Sequence, residues 1–414
     1  MAKRDYDIGG YKMKQLFIIS KGSRTSQYGI GTYIKQLIGT LDISEWKVFT
    51  VELEAPIQEC YSYVENGVCH FKIPDVEVAS KWNTCMEKTY HRSVFFWLMA
   101  QLELNMHEPI YCHFNLPDSY ELAVLFKQHL NAKILYTLHC MEWKFYLPDN
   151  VEKLQDLLQS PQTDKERDIA NSFIRSRNFM NECCDRIVTV SRHSYEQLQT
   201  LYGLQEERLF YMPHTLKDES VKRDKQEIRK KYHIEEHERI ILFVGRLNAD
   251  KGIYNLIRAF NCLTTCYPSL HLIVAGSGDL NSILNKCTLY QNKITFTGYA
   301  DAAMLNELYA MADVGIIPSY HEELGYVAIE MMMHELPVIC SNASGLLEVT
   351  DYGKYGMVMD WNETNRDESI RKALEYWLEN PSVFESFSRK GRERYLAEYS
   401  SEKHKRKIEL LYQL

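Results

Sequence analysis

The sequence predicts an α/β protein built from two doubly wound domains, each a mostly parallel sheet with helices on both faces. Three observations lead there. The chain has 414 residues, 45% hydrophobic and 25% charged, which is enough apolar material for two sizeable cores and too much for a disordered or fibrous protein. Short apolar runs rich in β-branched and aromatic residues alternate with longer helical patterns along the whole chain. Several of those runs are continuously apolar rather than alternating, which suits strands covered on both faces.

In the first half, strands are expected over 15–20, 47–53, 68–73, 109–114, 133–138, 186–191 and 208–213. The second half should contribute 239–245, 270–276, 294–298, 314–319, 337–342 and 356–361. The run 94–104 (VFFWLMAQLEL) reads as a buried helix, because crossing a bilayer takes roughly 20 apolar residues. A long helical region is expected over 149–184. The domain boundary falls just after Met212-Pro213-His214, where the charged stretch 217–231 reads as an exposed linker running into a helix. This gives domains over 1–214 and 215–394, with 395–414 as a helix returning to the first. A basic cluster from Arg389 to Lys407 reads as a solvated helix face, with an acceptor or membrane contact as the alternative.

The net charge is −8 and both halves are mildly acidic, which argues against a nucleic-acid footprint. A local patch leaves peripheral membrane contact open. The first twenty residues hold an apolar run of only about five, too short for a signal peptide, so a cytoplasmic location is expected. Eleven cysteines include no C-x-x-C pair, and reduced thiols in a bacterial-type or other cytosol are the simplest reading. The only D-x-D, Asp5-Tyr6-Asp7, precedes the first strand, so no metal site is expected, and no cofactor either.

Three segments could carry chemistry. Tyr28-Gly29-Ile30-Gly31-Thr32-Tyr33 follows the first strand and opens a helix, where bare backbone and free N–H groups favour an anion; a simple packing turn is the competing reading. It lacks the third glycine of a dinucleotide fingerprint. Gly245-Arg246-Leu247, leading to Lys251-Gly252, places two cations just past the end of a strand, where open parallel sheets collect ligands. Two fixed cations can neutralise a diphosphate without a metal. In Ser319-Tyr320-His321-Glu322-Glu323-Leu324-Gly325-Tyr326-Val327-Ala328-Ile329-Glu330, one carboxylate stands in a loop and the other in the second turn of an apolar helix. Such a carboxylate is costly unless paired, and sugar or ribose hydroxyls are suitable partners.

Taken in this order, with Ala275-Gly276-Ser277-Gly278 and Phe296-Thr297-Gly298-Tyr299, these segments resemble the retaining, nucleotide-sugar-dependent glycosyltransferases of family four. The likeness spans 15 to about 395 and is most specific in the second half. It implies the GT-B fold, two Rossmann-like domains facing a central cleft, with the first taking the acceptor and the second the nucleotide sugar. On this resemblance Arg246 and Lys251 hold the donor's pyrophosphate, Glu322 binds its sugar hydroxyls and Glu330 its ribose. Gly325, Tyr326 and Val327 offer backbone N–H groups, Gly29 and Gly31 face the same phosphates, and Gly276 and Tyr299 line the nucleotide. His139 matches the active-site histidine near the sugar, and His113 is a second candidate on the acceptor side, although a buried structural role competes for both histidines.

The family often has Glu-Pro-Phe-Gly where this chain has Glu322-Glu323-Leu324-Gly325. An acidic residue commonly follows the histidine where Cys140 stands, and Asn-Gly commonly stands where His214-Thr215 does. The resemblance implies transfer of a sugar from a nucleoside diphosphate donor, UDP or GDP type, to an acceptor hydroxyl on a glycan, lipid-linked intermediate, peptide or small molecule. A GT-B epimerase and a catalytically silent partner subunit are the alternatives.

Overall fold

The computed structural model describes residues 13–22, 29–75, 84–116, 119–220, 224–284, 291–362, 364–403 and 405–414. Asp5, Asp7 and Tyr28 lie outside them. The chain divides into two compact units, one of residues 1–213 with 404–414 and the other of residues 214–403. Residues 395–403 stay with unit 2, where the Leu216 N–H donates to the Tyr399 carbonyl at 2.9 Å, and only 404–414 join unit 1.

Unit 1 is built on eight strands: β1 (Lys14–Lys21), β2 (Trp46–Ala55), β3 (Tyr61–Glu65), β4 (Val68–Pro74), β5 (Ile110–Phe114), β6 (Lys133–Leu138), β7 (Arg186–Thr189) and β8 (Leu209–Tyr211). They lie in the order β3-β4-β2-β1-β5-β6-β7-β8. Every pairing is parallel except the β3–β4 hairpin. The continuously apolar runs do sit in the middle of the sheet: Leu16 to Ile19 and Ile134 to Leu135 are all 0% exposed.

β3 has no counterpart among the expected strands. Its residues are largely exposed, so it carries no apolar run. The available signal is the turn Asn66-Gly67, both at positive φ (49° and 80°), the dipeptide that two-residue hairpins favour. The helical region 149–184 is two helices, Val151–Gln159 and Asp164–Asn178, the second opened by a Thr163–Glu166 capping box. Ser160-Pro161 separates them, since proline lacks the N–H a continuing helix needs. The expected helix at 94–104 is the later part of Thr84–Gln101; Val94, Phe95 and Leu98 are buried, whereas Phe96 is 58% exposed. No helix among the described residues is long and apolar enough to cross a membrane.

Unit 2 carries six parallel strands: β9 (Arg239–Val244), β10 (Leu270–Ala275), β11 (Ile294–Gly298), β12 (Val314–Ile317), β13 (Val338–Cys340) and β14 (Met357–Val358). Their order is β11-β10-β9-β12-β13-β14. The charged stretch after the boundary contains the helix Lys225–Lys231. It is fastened to the sheet because Asp313 accepts from Lys225, Arg229 and the Ile240 N–H, each at 2.7 Å.

The strand order reverses direction between β1 and β5 in unit 1 and between β9 and β12 in unit 2. At such a switch point the two following connections leave to opposite faces and open a crevice at the strands' carboxyl ends. Gly29 and Gly31 come after β1, Arg246 and Lys251 after β9, and Glu322 and Gly325 after β12.

Candidate active site

In unit 2 the connection after β9 runs Gly245-Arg246-Leu247-Asn248 into a single turn, Ala249–Lys251, and then the helix Ile253–Thr264. The connection after β12 runs from Pro318 to the helix Tyr326–Met333. The two are tied together, since the Tyr320 N–H donates to the Asp250 carbonyl at 2.8 Å. Lys251 reaches across to Glu322, Nζ to Oε1 at 2.5 Å, with both side chains 18% exposed. The Ser319 hydroxyl donates to the same oxygen at 2.8 Å. Burial alone would raise the Glu322 pKa, but the Lys251 charge and these two hydrogen bonds outweigh it and hold the carboxyl below its ordinary value. Glu322 is therefore an anion, pre-positioned beside a cation. Arg246 is more open at 42%, with Asp250 at 3.9 Å.

The helix Tyr326–Met333 begins at Gly325, whose φ of 100° no L side chain adopts easily, and no side chain caps that end. A Cβ there would stand 2.6 Å from the Leu346 side chain. Tyr326 lies flat on His214, ring centroids 4.4 Å apart and 14° from parallel, which gives the histidine at the unit boundary a packing role that the sequence did not disclose. Val327 is half-buried beside it.

Glu330 lies one turn further along the helix. The Tyr309 hydroxyl donates to its Oε2 at 2.6 Å. Burial pushes the carboxyl up to about 7, against the lowering effect of that hydrogen bond. A carboxyl group with this one hydrogen bond has acceptor capacity to spare.

Gly276 follows β10, and it must be glycine for a steric reason. A Cβ at this position would stand 1.8 Å from the Gly245 carbonyl oxygen. The two backbones run side by side beyond their strands, with the Leu247 N–H donating to the Ser277 carbonyl at 2.9 Å. This crossing fixes the direction in which Arg246 leaves the sheet. Tyr299, after β11, is 59% exposed.

In unit 1, Gly29 and Gly31 are in the first turn of the helix Gly29–Thr40, with Gly31 buried. His139 follows β6 and is half-buried. Its Nε2 is 2.9 Å from Asn115 Oδ1, and Asn115 Nδ2 donates to the Ile19 and His113 carbonyls. His113 does not fit the acceptor contact expected of it. It is 0% exposed, and its ring nitrogens lie 2.8 Å from the Tyr412 hydroxyl and 2.6 Å from the Thr137 hydroxyl. Burial lowers its pKa to about 3, so it is a neutral core residue with both nitrogens engaged. Being in β5 rather than after it, the side chain points into the layer beneath the sheet instead of past its edge.

The partners Ser319, Tyr309 and Asn115 were not anticipated. Only Ser319, three residues before Glu322, left a local signal. Among the described residues no group of three or more His, Cys, Asp or Glu side chains is placed to hold a metal ion.

Comparison with known proteins places this geometry. Residues 224–394 match the family model described as glycosyl transferases group 1. An uncharacterized glycosyltransferase of Methanocaldococcus jannaschii is 32% identical over 185 residues, 42% of this chain and 47% of the relative. N-acetyl-alpha-D-glucosaminyl L-malate synthase of Bacillus anthracis is 25% identical over 221 residues, 52% of this chain and 54% of its own. The matches span about half the length of these curated relatives. Among solved structures, sucrose-phosphate synthase from Thermosynechococcus elongatus superposes with a TM-score of 0.77 at 19% identity, covering 97% of this chain and 98% of that one. The Anabaena protein HepE, in complex with UDP and glucose, gives 0.71 at 14% identity, covering 97% and 100%. The fold is GT-B.

Proposed function

We propose that this chain, whose residues 224–394 form a glycosyl transferases group 1 domain within a GT-B fold, transfers a sugar from a nucleoside diphosphate donor to an acceptor hydroxyl with retention of configuration. One observation carries the reading. Lys251 pairs with an ionised Glu322, and Arg246 and an uncapped helix start belong to the same two connections, which follow β9 and β12.

Each group has a part in this reaction. Arg246 and Lys251 hold the diphosphate and stabilise the charge that grows on it as the bond to the sugar's anomeric carbon breaks. Glu322, fixed by Lys251 and Ser319, accepts hydrogen bonds from the sugar. Glu330 accepts from the ribose, and the N–H groups of Tyr326 and Val327 face the donor. Gly29, Gly31 and His139 act from unit 1, to which we assign the acceptor. The acceptor oxygen attacks the face that the diphosphate leaves, and its proton passes to a diphosphate oxygen, so no protein nucleophile is required. Lys251 and Arg246 supply the neutralisation that a metal supplies elsewhere, and the reading needs no cofactor beyond the donor. The acceptor is a hydroxyl of a glycan, lipid-linked intermediate, peptide or small molecule, met in the cytoplasm.

Thermal unfolding with UDP, GDP, ADP and CMP tests the proposal, beside an Arg246→Ala, Lys251→Ala variant. HepE is solved with UDP and glucose, so UDP comes first. One diphosphate at a hundred times its Kd should add about 2.7 kcal/mol to the wild type and nothing to the variant. A folded wild type that no nucleotide stabilises would refute the donor site and favour a silent partner subunit.

A further inference from the structure

The segment 405–414 does more than close the surface of unit 1. Its helix, Lys405–Leu411, is clamped at the end by Arg186, whose guanidinium donates to the carbonyls of Leu410 at 2.9 Å and Leu411 at 2.8 Å. Tyr412 then enters the core and is 1% exposed, packed on Trp46 and Tyr111 with ring centroids at 5.0 and 5.5 Å. Its hydroxyl begins a chain of buried hydrogen bonds. Tyr412 Oη meets His113 Nδ1 at 2.8 Å, His113 Nε2 meets Thr137 Oγ1 at 2.6 Å, and Thr137 Oγ1 meets Tyr33 Oη at 3.0 Å.

This chain reaches His139 through Tyr33. The Tyr33 ring stands edge-on to the His139 ring, centroids 5.0 Å apart at 73°. Separately from it, the backbone carbonyls of Ile19 and His113 accept from Asn115 Nδ2, which turns Asn115 Oδ1 towards His139 Nε2. A carbonyl oxygen can only accept, so the proton of neutral His139 is held on Nε2. Tyr33 also belongs to the helix that Gly29 and Gly31 open.

The geometry points to Tyr412 as a positioning residue that sets the orientation of the His139 ring through His113, Thr137 and Tyr33. The catalytic consequence rests on the glycosyltransferase reading given above; the geometric claim does not. Tyr412 touches no substrate in this scheme. Both ring nitrogens of His113 are satisfied without water, so losing one hydroxyl unbalances a network with no solvent to repair it.

The test uses the whole 414-residue chain labelled with ¹⁵N-histidine, with the His139 signals assigned by a His139→Gln sample. Long-range ¹H–¹⁵N correlation should show wild-type His139 protonated on Nε2. Tyr412→Phe keeps the ring packing and removes only the hydroxyl, and Thr137→Val cuts the same chain between His113 and Tyr33. Each should shift the His139 ring signals, as a displaced Tyr33 ring would, while Tyr376→Phe, at a 44% exposed position, should not. Turnover of the donor identified by nucleotide titration should fall roughly tenfold or more with donor KM unchanged, as misplacing a positioned group does. If Tyr412→Phe does not fold, Thr137→Val decides. Folded variants with wild-type His139 signals would overturn the inference. Absence of nucleotide binding to the wild type would instead sink the transferase reading and leave the spectroscopic result standing.

Discussion

Lys251→Ala isolates the charge logic of unit 2. In the wild type the Lys251 ammonium is 2.5 Å from Glu322, each side chain 18% exposed. Removing one member of a buried pair costs about 3–5 kcal/mol. The residual exposure and the Ser319 hydrogen bond reduce this to about 2–3 kcal/mol. Protonation sets the ceiling, because neutralising an ordinary glutamate at pH 7 costs about 3.5 kcal/mol. The sign with pH is distinctive. Wild-type Glu322 has a lowered pKa, so its stabilisation is present above the ordinary glutamate value and is lost as pH falls through the folded one. Without Lys251, burial dominates and the shift reverses. The penalty should then be largest at pH 8 and shrink towards pH 5. Thermal unfolding at both pH values should show a loss of about 4–8 °C at pH 8 and less than half of that at pH 5. Adding Glu322→Gln should restore much of it. An equal loss at both pH values, with no rescue by the second change, would show that the pair carries no such coupling.

Further outcomes follow at three other sites. Gly276→Ala drives a methyl against the Gly245 carbonyl, and should cost at least about 2 kcal/mol and abolish nucleotide binding in calorimetric titration. With Glu330 raised to about 7, nucleoside diphosphate affinity should climb about tenfold from pH 6 to pH 8 as the carboxylate forms, and Glu330→Gln should flatten that component. The same raised pKa means that Glu330 lowers the stability of the ligand-free fold as pH rises from its ordinary value towards 7, a slope that Glu330→Gln should also remove. Asp149→Asn takes the charge from a carboxylate 3.0 Å from Lys144, whose side chain is 0% exposed; urea unfolding should show a loss of about 3 kcal/mol.

Much of this was legible in the chain because the relevant signals are local. A run such as Leu16 to Ile19 is apolar because the strand is covered on both faces, so burial and strand identity come from the same residues. The order of Arg246, Lys251, Glu322 and Glu330 along the sequence gave the loop after one strand and the helix after another. What the sequence could not give are partners that only the folded sheet brings together. Tyr309 lies on a different helix from Glu330, and Tyr412 lies 299 residues from His113. For His113 the sequence left an acceptor-side role and a buried structural one open for this reason. A histidine closing an apolar strand looks the same whether its ring leaves the sheet edge or, as here, meets two buried hydroxyls. β3 escaped because its face is polar, and its only signal was two residues of turn.

The return of residues 404–414 to unit 1 orders events during synthesis. All of unit 2 must leave the ribosome before Tyr412 appears, a delay of roughly 10–40 s for about 190 residues. Over that interval Trp46, Tyr111 and the His113 ring stand open to water, with an unfilled slot where the Tyr412 ring will sit. Unit 1 is thus a half-closed vessel whose stopper is made after unit 2. Its nascent form should draw chaperones to that one face, and a ribosome stalled within unit 2 should hold a unit 1 that a protease can still enter there.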